Sequence, residues 1–254
     1  GNNWTPNNIS VTAGATYDSM VDTPTPYGSD TGVGGEVRGN YAVINPVVPT
    51  NAGAVSDGNL TWTLTGTFGT KEASLSSSTL LQYAEFYVTS GLPCVGVKTP
   101  GVNLTTNIGT PPTGYWGTYD NGSGFFLIAN GSTPYSTTTT VAAGQIWQVA
   151  YNPTTGNAWI GKNNVWYNST GGTNGNPATG ANPTFSSLGS GLVIFVSGGN
   201  VNAVLNANFG QRPFTYTAPS GYKALCTQNL STPTIANGAS YMAATTYTGN
   251  GATQ

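Results

Sequence analysis

Residues 144–166 read GQIWQVAYNPTTGNAWIGKNNVW. Two apolar runs, QIWQVAY (145–151) and NAWIGK (157–162), flank the turn set NPTTG (152–156). A proline after asparagine starts a turn, and Gly156 is free to take positive φ. The flanking runs are therefore expected to pair as an antiparallel hairpin. Neither run carries the 3.6-residue period of a helix, and both are of strand length.

The same grammar recurs on both sides of this hairpin. In NLTWTLTGT (59–67), Leu60, Trp62 and Leu64 fall on one face and Thr61, Thr63 and Thr65 on the other. YAEFYV (83–88) sets Ala84, Phe86 and Val88 against Tyr83, Glu85 and Tyr87. CVGVK (94–98), GFFLIA (124–129), LVIFVS (192–197) and VNAVLNANF (201–209) are further strands. Asn121-Gly122 and Asn130-Gly131 bracket GFFLIA as turns, and SGGN (197–200) separates the last two runs. Residues 168–183 are nearly all Gly, Asn, Thr, Ser and Pro and read as a long surface loop. Many short strands without helical segments between them predict an all-β chain, an antiparallel sandwich or barrel.

Composition narrows the function. Only 6% of the 254 residues are charged and none is histidine, while 37% are hydrophobic and the formal net charge is −2. Disorder needs low hydrophobicity or high net charge, and neither holds. Six Lys and Arg residues scattered from Arg38 to Lys223 build no basic stripe, so nucleic acid is not an expected partner. The longest apolar run, Leu192–Val196, is of strand size, so no membrane insertion is expected. The start, GNNWTPNNIS, lacks the charged and apolar regions of a signal peptide, and its opening on Gly suggests an upstream piece. Cys94 and Cys226 read as two buried thiols rather than a bridge.

Without histidine there is no Ser-His-Asp triad, Cys-His dyad or imidazole metal ligand. Glycoside hydrolysis would need two opposed carboxylates. The acids are Asp18, Asp22, Asp30, Glu36, Asp57, Glu72, Glu85 and Asp120. Glu85, on a strand, is expected to be structural, and no enzyme activity is expected. Asp18, Asp22 and Asp30 could gather around calcium, but no D-x-[DN]-x-D-G loop frames them. No cofactor or metal is expected. Sequons at Asn3, Asn8, Asn59, Asn103, Asn121, Asn130, Asn168 and Asn229 follow from an Asn- and Thr-rich composition.

The residues singled out for ligand binding are aromatic. Tyr115, Trp116, Tyr119 and Asp120 lie in PPTGYWGTYDNG (111–122), and Trp166-Tyr167 opens the long polar loop. Aromatic faces beside short polar groups suit sugar rings. The competing reading makes 111–122 a strand with Trp116 packed under the long loop. Trp62, Trp147 and Trp159, on strands, are assigned to the core.

The middle of the chain resembles the SPRY domain. Tyr83-Ala84-Glu85-Phe86 stands where that family has Y-W-E-F, and Val95-Gly96-Val97 where it has V-G-V. Gly144–Val149 matches G-D-x-I-G-V, and Gly156–Asn163 matches G-x-x-W-F-x-K-N before Trp166. Gln145, Gln148 and Asn164 depart from the pattern. The resemblance covers roughly residues 59–226. It implies a concanavalin-like β-sandwich jelly roll that binds proteins and is not catalytic. It divides the chain into an N-terminal arm (1–58), the sandwich (59–226) and a C-terminal connector (227–254).

A narrower resemblance spans more of the chain. The opening NNWTPNNISVTAGATYDSMVDTPTPYG, GGEVRGNYAVINP (34–46), NPATGANPTF (176–185) and NFGQRPFTYTAPSGYKALCTQNLSTPTIANGASYMAATTYTGNGA (208–252) look like SPRY-containing proteins of aquatic bacteriophages. That implies a virion surface component, a tail fibre, spike or similar appendage. Its expected partners are other copies of itself and other virion proteins, with a host-surface glycan as a further one. A free carbohydrate-binding lectin and a polysaccharide-degrading enzyme are the alternatives.

Overall fold

The turn at 152–156 forms as the sequence requires. Asn152 Oδ1 accepts the amides of Thr154 (3.0 Å) and Thr155 (3.2 Å), and Gly156 sits at φ +66°. A Cβ at Gly156 would come within 2.2 Å of the Leu188 carbonyl oxygen, so any other residue would clash. The flanking strands pair antiparallel, with Asn152 opposite Asn157 and Trp147 opposite Lys162. These features come from a computed structural model that describes residues 39–47, 53–66, 68–103, 112–137, 140–198 and 202–231.

Fourteen strands are described. They are β1 (Ala54–Ser56), β2 (Thr61–Thr63), β3 (Gly69–Glu72), β4 (Gln82–Ser90), β5 (Pro93–Lys98), β6 (Tyr115–Asp120) and β7 (Phe125–Ala129), then β8 (Ser132–Ser136), β9 (Ile146–Asn152), β10 (Asn157–Lys162), β11 (Val165–Trp166), β12 (Val193–Gly198), β13 (Val204–Asn208) and β14 (Lys223–Ala224). The helical content among the described residues is one 3₁₀ turn, Thr227–Asn229. The first sheet runs β1-β2-β13-β4-β9-β10-β11, and the second runs β3-β12-β5-β6-β7-β8. All of these pairings are antiparallel. The exception is β14, which lies parallel to the start of β4, beyond the point where β13 leaves it. The chain is thus an all-β antiparallel sandwich.

Each sheet gives its apolar alternation to the shared core. Trp62, Ala84, Phe86, Val88, Trp147, Val149 and Ile160 of the first sheet meet Val95, Val97, Leu127, Ile194 and Val196 of the second. Covering one such aliphatic or aromatic side chain contributes roughly 1.5–3 kcal/mol before ordering costs. Phe125, Trp147 and Tyr167 form a ring cluster with centroids 5.0–6.3 Å apart. Trp62, Trp147 and Trp159 are buried as expected, and Cys94 and Cys226 are buried and form no disulfide.

The stretch before residue 59 joins the sandwich where it is described. β1 pairs β2, Ile44 bridges Ala73, and Tyr41 bridges Cys226. The remainder of 1–58, including Asp18, Asp22 and Asp30, lies outside the described residues, as do 232–254 and the last two residues of the SGGN turn.

The edges of both sheets are short or obstructed. β1 has three residues and β11 two, and the edge strand β8 carries Pro134, which has no amide hydrogen to offer. The free side of β3 is engaged by the segment around Ile44, where Asn45 N donates to Glu72 O and Ser74 N to Val43 O.

Candidate functional site

The outward face of the first sheet is divided in two. On one half, Tyr83, Ala150 and Trp159 are covered by the segment that follows β13, through Phe214, Ala218 and Tyr222. Tyr83 meets Phe214 edge-on at 4.7 Å, and Trp159 meets Tyr222 at 6.4 Å. The Trp159 indole donates to Ala181 O at 2.9 Å, which ties the long loop to the same face. On the other half, Tyr87 is exposed and Thr61, Ile146 and Asn206 are half-buried, with no such cover among the described residues.

A row of buried polar side chains marks the boundary. Gln148 lies opposite Glu85, and Glu85 opposite Asn208. Asn164 N donates to Gln148 Oε1 (2.6 Å), Gln148 Nε2 to the Tyr83 hydroxyl (2.9 Å), and that hydroxyl to Glu85 Oε1 (2.9 Å). Glu85 also accepts the amides of Thr215 (2.7 Å) and Tyr216 (2.8 Å). Asn208 donates to Pro213 O at 3.1 Å and accepts Gly210 N at 3.0 Å. A carboxylate removed from water needs such donors, and here they anchor the 210–216 segment to the sheet. Gln148, which departs from the SPRY pattern, belongs to this row, and Asn164, another departure, reaches it through its backbone amide.

Beyond the row, Glu85, Asn208, Arg212 and Thr215 line a cleft of about 250 Å³ together with Tyr87, Ile146 and Asn206. Tyr87 is 44% exposed, an unusual value for a large aromatic in this fold. Ile146, Tyr87, Asn206 and Thr61 are consecutive cross-strand neighbours on β9, β4, β13 and β2. Asn206 donates to Thr89 Oγ1 (2.9 Å) and lies against the Thr61 hydroxyl, whose one proton goes to Asp57. Arg212 has no hydrogen bond or ion pair among the described residues, and neither the Tyr87 nor the Thr215 hydroxyl has a partner there.

The six residues singled out from the sequence are not brought together. The segment 111–122 contains a strand, β6, and successive side chains on it alternate between faces. Tyr115 is fully buried on the outward side of the second sheet against Phe195 (4.2 Å between ring centroids), with Cys94 and Ile128. Tyr119 stacks on Phe126 at 5.5 Å on that same side. Trp116 packs on the main core from the opposite side, so its role is structural, but its neighbours are those of the core rather than only the long loop expected to cover it. Asp120 is buried and accepts the amides of Gly122 and Val141, so it serves a turn rather than a ligand. Burial pushes its carboxyl above the usual range, against the pull of those two amides. Tyr167, expected to be partly exposed, is buried against Trp147 and Phe125, so it leaves the candidate set for the core. Trp166 alone borders the outward face of the first sheet. It lies over Gly161, where a Cβ would come within 3.0 Å of the indole, and 6.3 Å from the Tyr83 ring.

The other described carboxylates are occupied as well. Glu72 pairs with the buried Lys98, whose ammonium burial pulls below its ordinary pKa against the pull of Glu72. Asp57 accepts from the Thr61 hydroxyl at 2.6 Å. Among the described residues no three Cys, Asp or Glu side chains gather as metal ligands.

Sequence reasoning placed Tyr87 and Glu85 on one side of their strand but did not connect them with Arg212 and Thr215. The only signal was NFGQRPF: its glycine and proline bend the chain back toward β4.

The stretches quoted for the SPRY resemblance fall on β4, β5, the start of β9, and β10. A scan against protein-family models finds no match, and a search of curated proteins finds none either. Among solved structures, the chain is similar to the SPRY domain of human HERC1 (15% identity, 65% of this chain and 96% of that one, TM-score 0.46). It is also similar to the TRIM65 PSpry domain (13%, 66% and 92%, TM-score 0.48) and to a human SPRY domain (14%, 63% and 96%, TM-score 0.42).

Proposed function

We propose that this chain is a non-catalytic binding module of a virion surface appendage, a fibre or spike. It makes its contact through the open half of the first sheet's outward face. The observation that carries the contact surface is the cleft beside Tyr87, lined by a 44%-exposed ring and by a guanidinium with no partner among the described residues. It lies on a face of which half is covered by the segment after β13. Exposed aromatic and arginine side chains are the groups most enriched where proteins bind their partners.

Three observations support the absence of chemistry. The chain has no histidine, and its four described acids, Asp57, Glu72, Glu85 and Asp120, each hold a backbone amide, hydroxyl or ammonium group. Its thiols are buried, and burial pushes that of Cys94 up to about 12, far from a reactive thiolate.

The virion assignment is supported by the sequence likenesses in 1–46, 176–185 and 208–252, and by a charge content that leaves few contacts for salt to screen. Other virion proteins, further copies of the chain and the host surface are the partners this role requires. With the edges short or blocked, copies associate through faces or through the terminal segments rather than by strand addition.

The test is mass spectrometry of virus particles purified by density gradient, followed by adhesion of the labelled chain to the cells those particles infect. Peptides of this chain in the particle peak, and adhesion lost in Tyr87→Ala and Arg212→Gln, are the expected results. Absence from the particles would overturn the virion role; unchanged adhesion would overturn the contact surface.

A further inference from the structure

The cleft beside Tyr87 has an uneven hydrogen-bonding inventory. Most of its side-chain acceptor capacity is taken: Glu85 receives three donors, and Asn208 Oδ1 receives Gly210. Its donors are open: the Arg212 guanidinium and the hydroxyls of Tyr87 and Thr215 have no partner among the described residues. Such a site favours a ligand rich in acceptors and carrying negative charge. A planar guanidinium binds carboxylate through two parallel hydrogen bonds, which gives orientation as well as attraction.

The apolar part of the cleft sets the rest of the ligand. Tyr87 and Ile146 sit side by side and offer a flat ring and a branched aliphatic group. At about 250 Å³ the cleft is smaller than the roughly 300–1,000 Å³ of drug-sized sites, and suits one small ring with its substituents. We infer that this cleft binds a carboxylate-bearing pyranose, a hexuronate residue of a surface polysaccharide, with the carboxylate on Arg212 and a ring face on Tyr87. The hydroxyl of Thr215 and the side-chain amide of Asn206 also line the cleft and would meet the sugar's remaining hydroxyls.

Two other occupants fit less well. An acidic peptide would ordinarily add main-chain pairing at a strand edge, and the edges here are short or carry Pro134. In a second copy of the chain, the one exposed acid among the described residues is Asp57, and it is already held by Thr61. The inference rests on the reading of this cleft as the contact surface.

The experiment is a titration of the purified chain, followed by amide resonances in NMR, with sodium glucuronate, glucose, sodium acetate and a glutamate-containing peptide at constant ionic strength. Glucuronate is expected to move the resonances of Tyr87, Ile146 and Thr215. Its half-saturation should lie at least about tenfold below those of the other three ligands, the factor expected for adding one charge-assisted pair. Arg212→Gln should abolish that margin, and Arg212→Lys should keep part of it, while resonances far from the cleft stay unchanged and report an intact fold. Equal response to glucose or to acetate, tighter binding of the peptide, or no response at these residues would each overturn the sugar assignment. If adhesion to cells is still lost in Arg212→Gln when glucuronate does not bind, the contact surface stands and only the ligand class falls.

Discussion

The Tyr83 hydroxyl donates to Glu85 Oε1 at 2.9 Å, although both side chains leave the same outward face of β4, two residues apart. The bond fixes Glu85 where the amides of Thr215 and Tyr216 converge on it. The segment that walls the cleft is therefore held by a carboxylate belonging to the strand that forms the cleft's floor.

Breaking this junction should destabilise the fold in a non-additive way. Tyr83→Phe strands the Gln148 amide and should cost about 1 kcal/mol, whereas Glu85→Gln leaves backbone donors unmatched and should cost about 2–3 kcal/mol. The double variant should lose less than the sum, because both changes act on one network. Urea unfolding midpoints of the three variants measure this, and simple additivity would show the residues to be independent.

Gly117→Ala should be costly despite adding one methyl group. Gly96 and Gly117 lie opposite each other on β5 and β6, and the Phe195 ring lies over them. A Cβ on Gly117 would come within 2.6 Å of Phe195 Cζ and 2.7 Å of the Val95 carbonyl oxygen. Because backbone is on one side, the ring cannot simply move away. Overpacking of this kind costs about 1–3 kcal/mol, readable as a lower melting temperature in calorimetry.

Neither cysteine should react while the protein is folded. Both are buried, and burial pushes the Cys94 thiol up to about 12. Ellman's reagent at mildly alkaline pH should release no product from the native chain and two equivalents in guanidinium. Rapid native labelling of Cys94 would contradict its burial.

Stability should fall in alkali. Desolvation raises the phenols of Tyr83, Tyr115 and Tyr222 far above the unfolded value of 10.0. The native state therefore keeps protons that the unfolded chain releases, so raising pH through 10 favours unfolding. Lys71 and Lys98, lowered by burial, work in the opposite direction in the same region, but there are fewer of them. Tyrosinate absorbance for these three residues should appear together with loss of the near-ultraviolet dichroism, rather than before it.

Much of the sandwich was legible because its strands alternate cleanly and its turns use Asn, Gly and Pro. Asn121-Gly122 and Asn130-Gly131 sit in the two turns that bound β7, with Gly122, Asn130 and Gly131 at positive φ. β6 was harder to read. With Tyr115 and Tyr119 on one side and Trp116 on the other, both faces are aromatic and no polar face betrays the period of two. The candidate site was hidden for a different reason. Phe214, Ala218 and Tyr222 cover the first sheet from a turn-rich segment without periodicity, so nothing local signals that this segment folds back onto β4. The aromatic residues that read as a ligand platform are mostly covered, while Tyr87, one more aromatic in an alternating strand, is the one left open among the described aromatics.

Pro134 on β8 and the brevity of β1 and β11 bear on how such a chain behaves when many copies are crowded together. Neutral β-proteins ordinarily risk fusing rim to rim, because little electrostatic repulsion holds neighbours apart. Here the backbone itself withholds the template for cross-β growth. Dense arrays of nearly uncharged subunits can thus stay discrete particles instead of coalescing into fibrils.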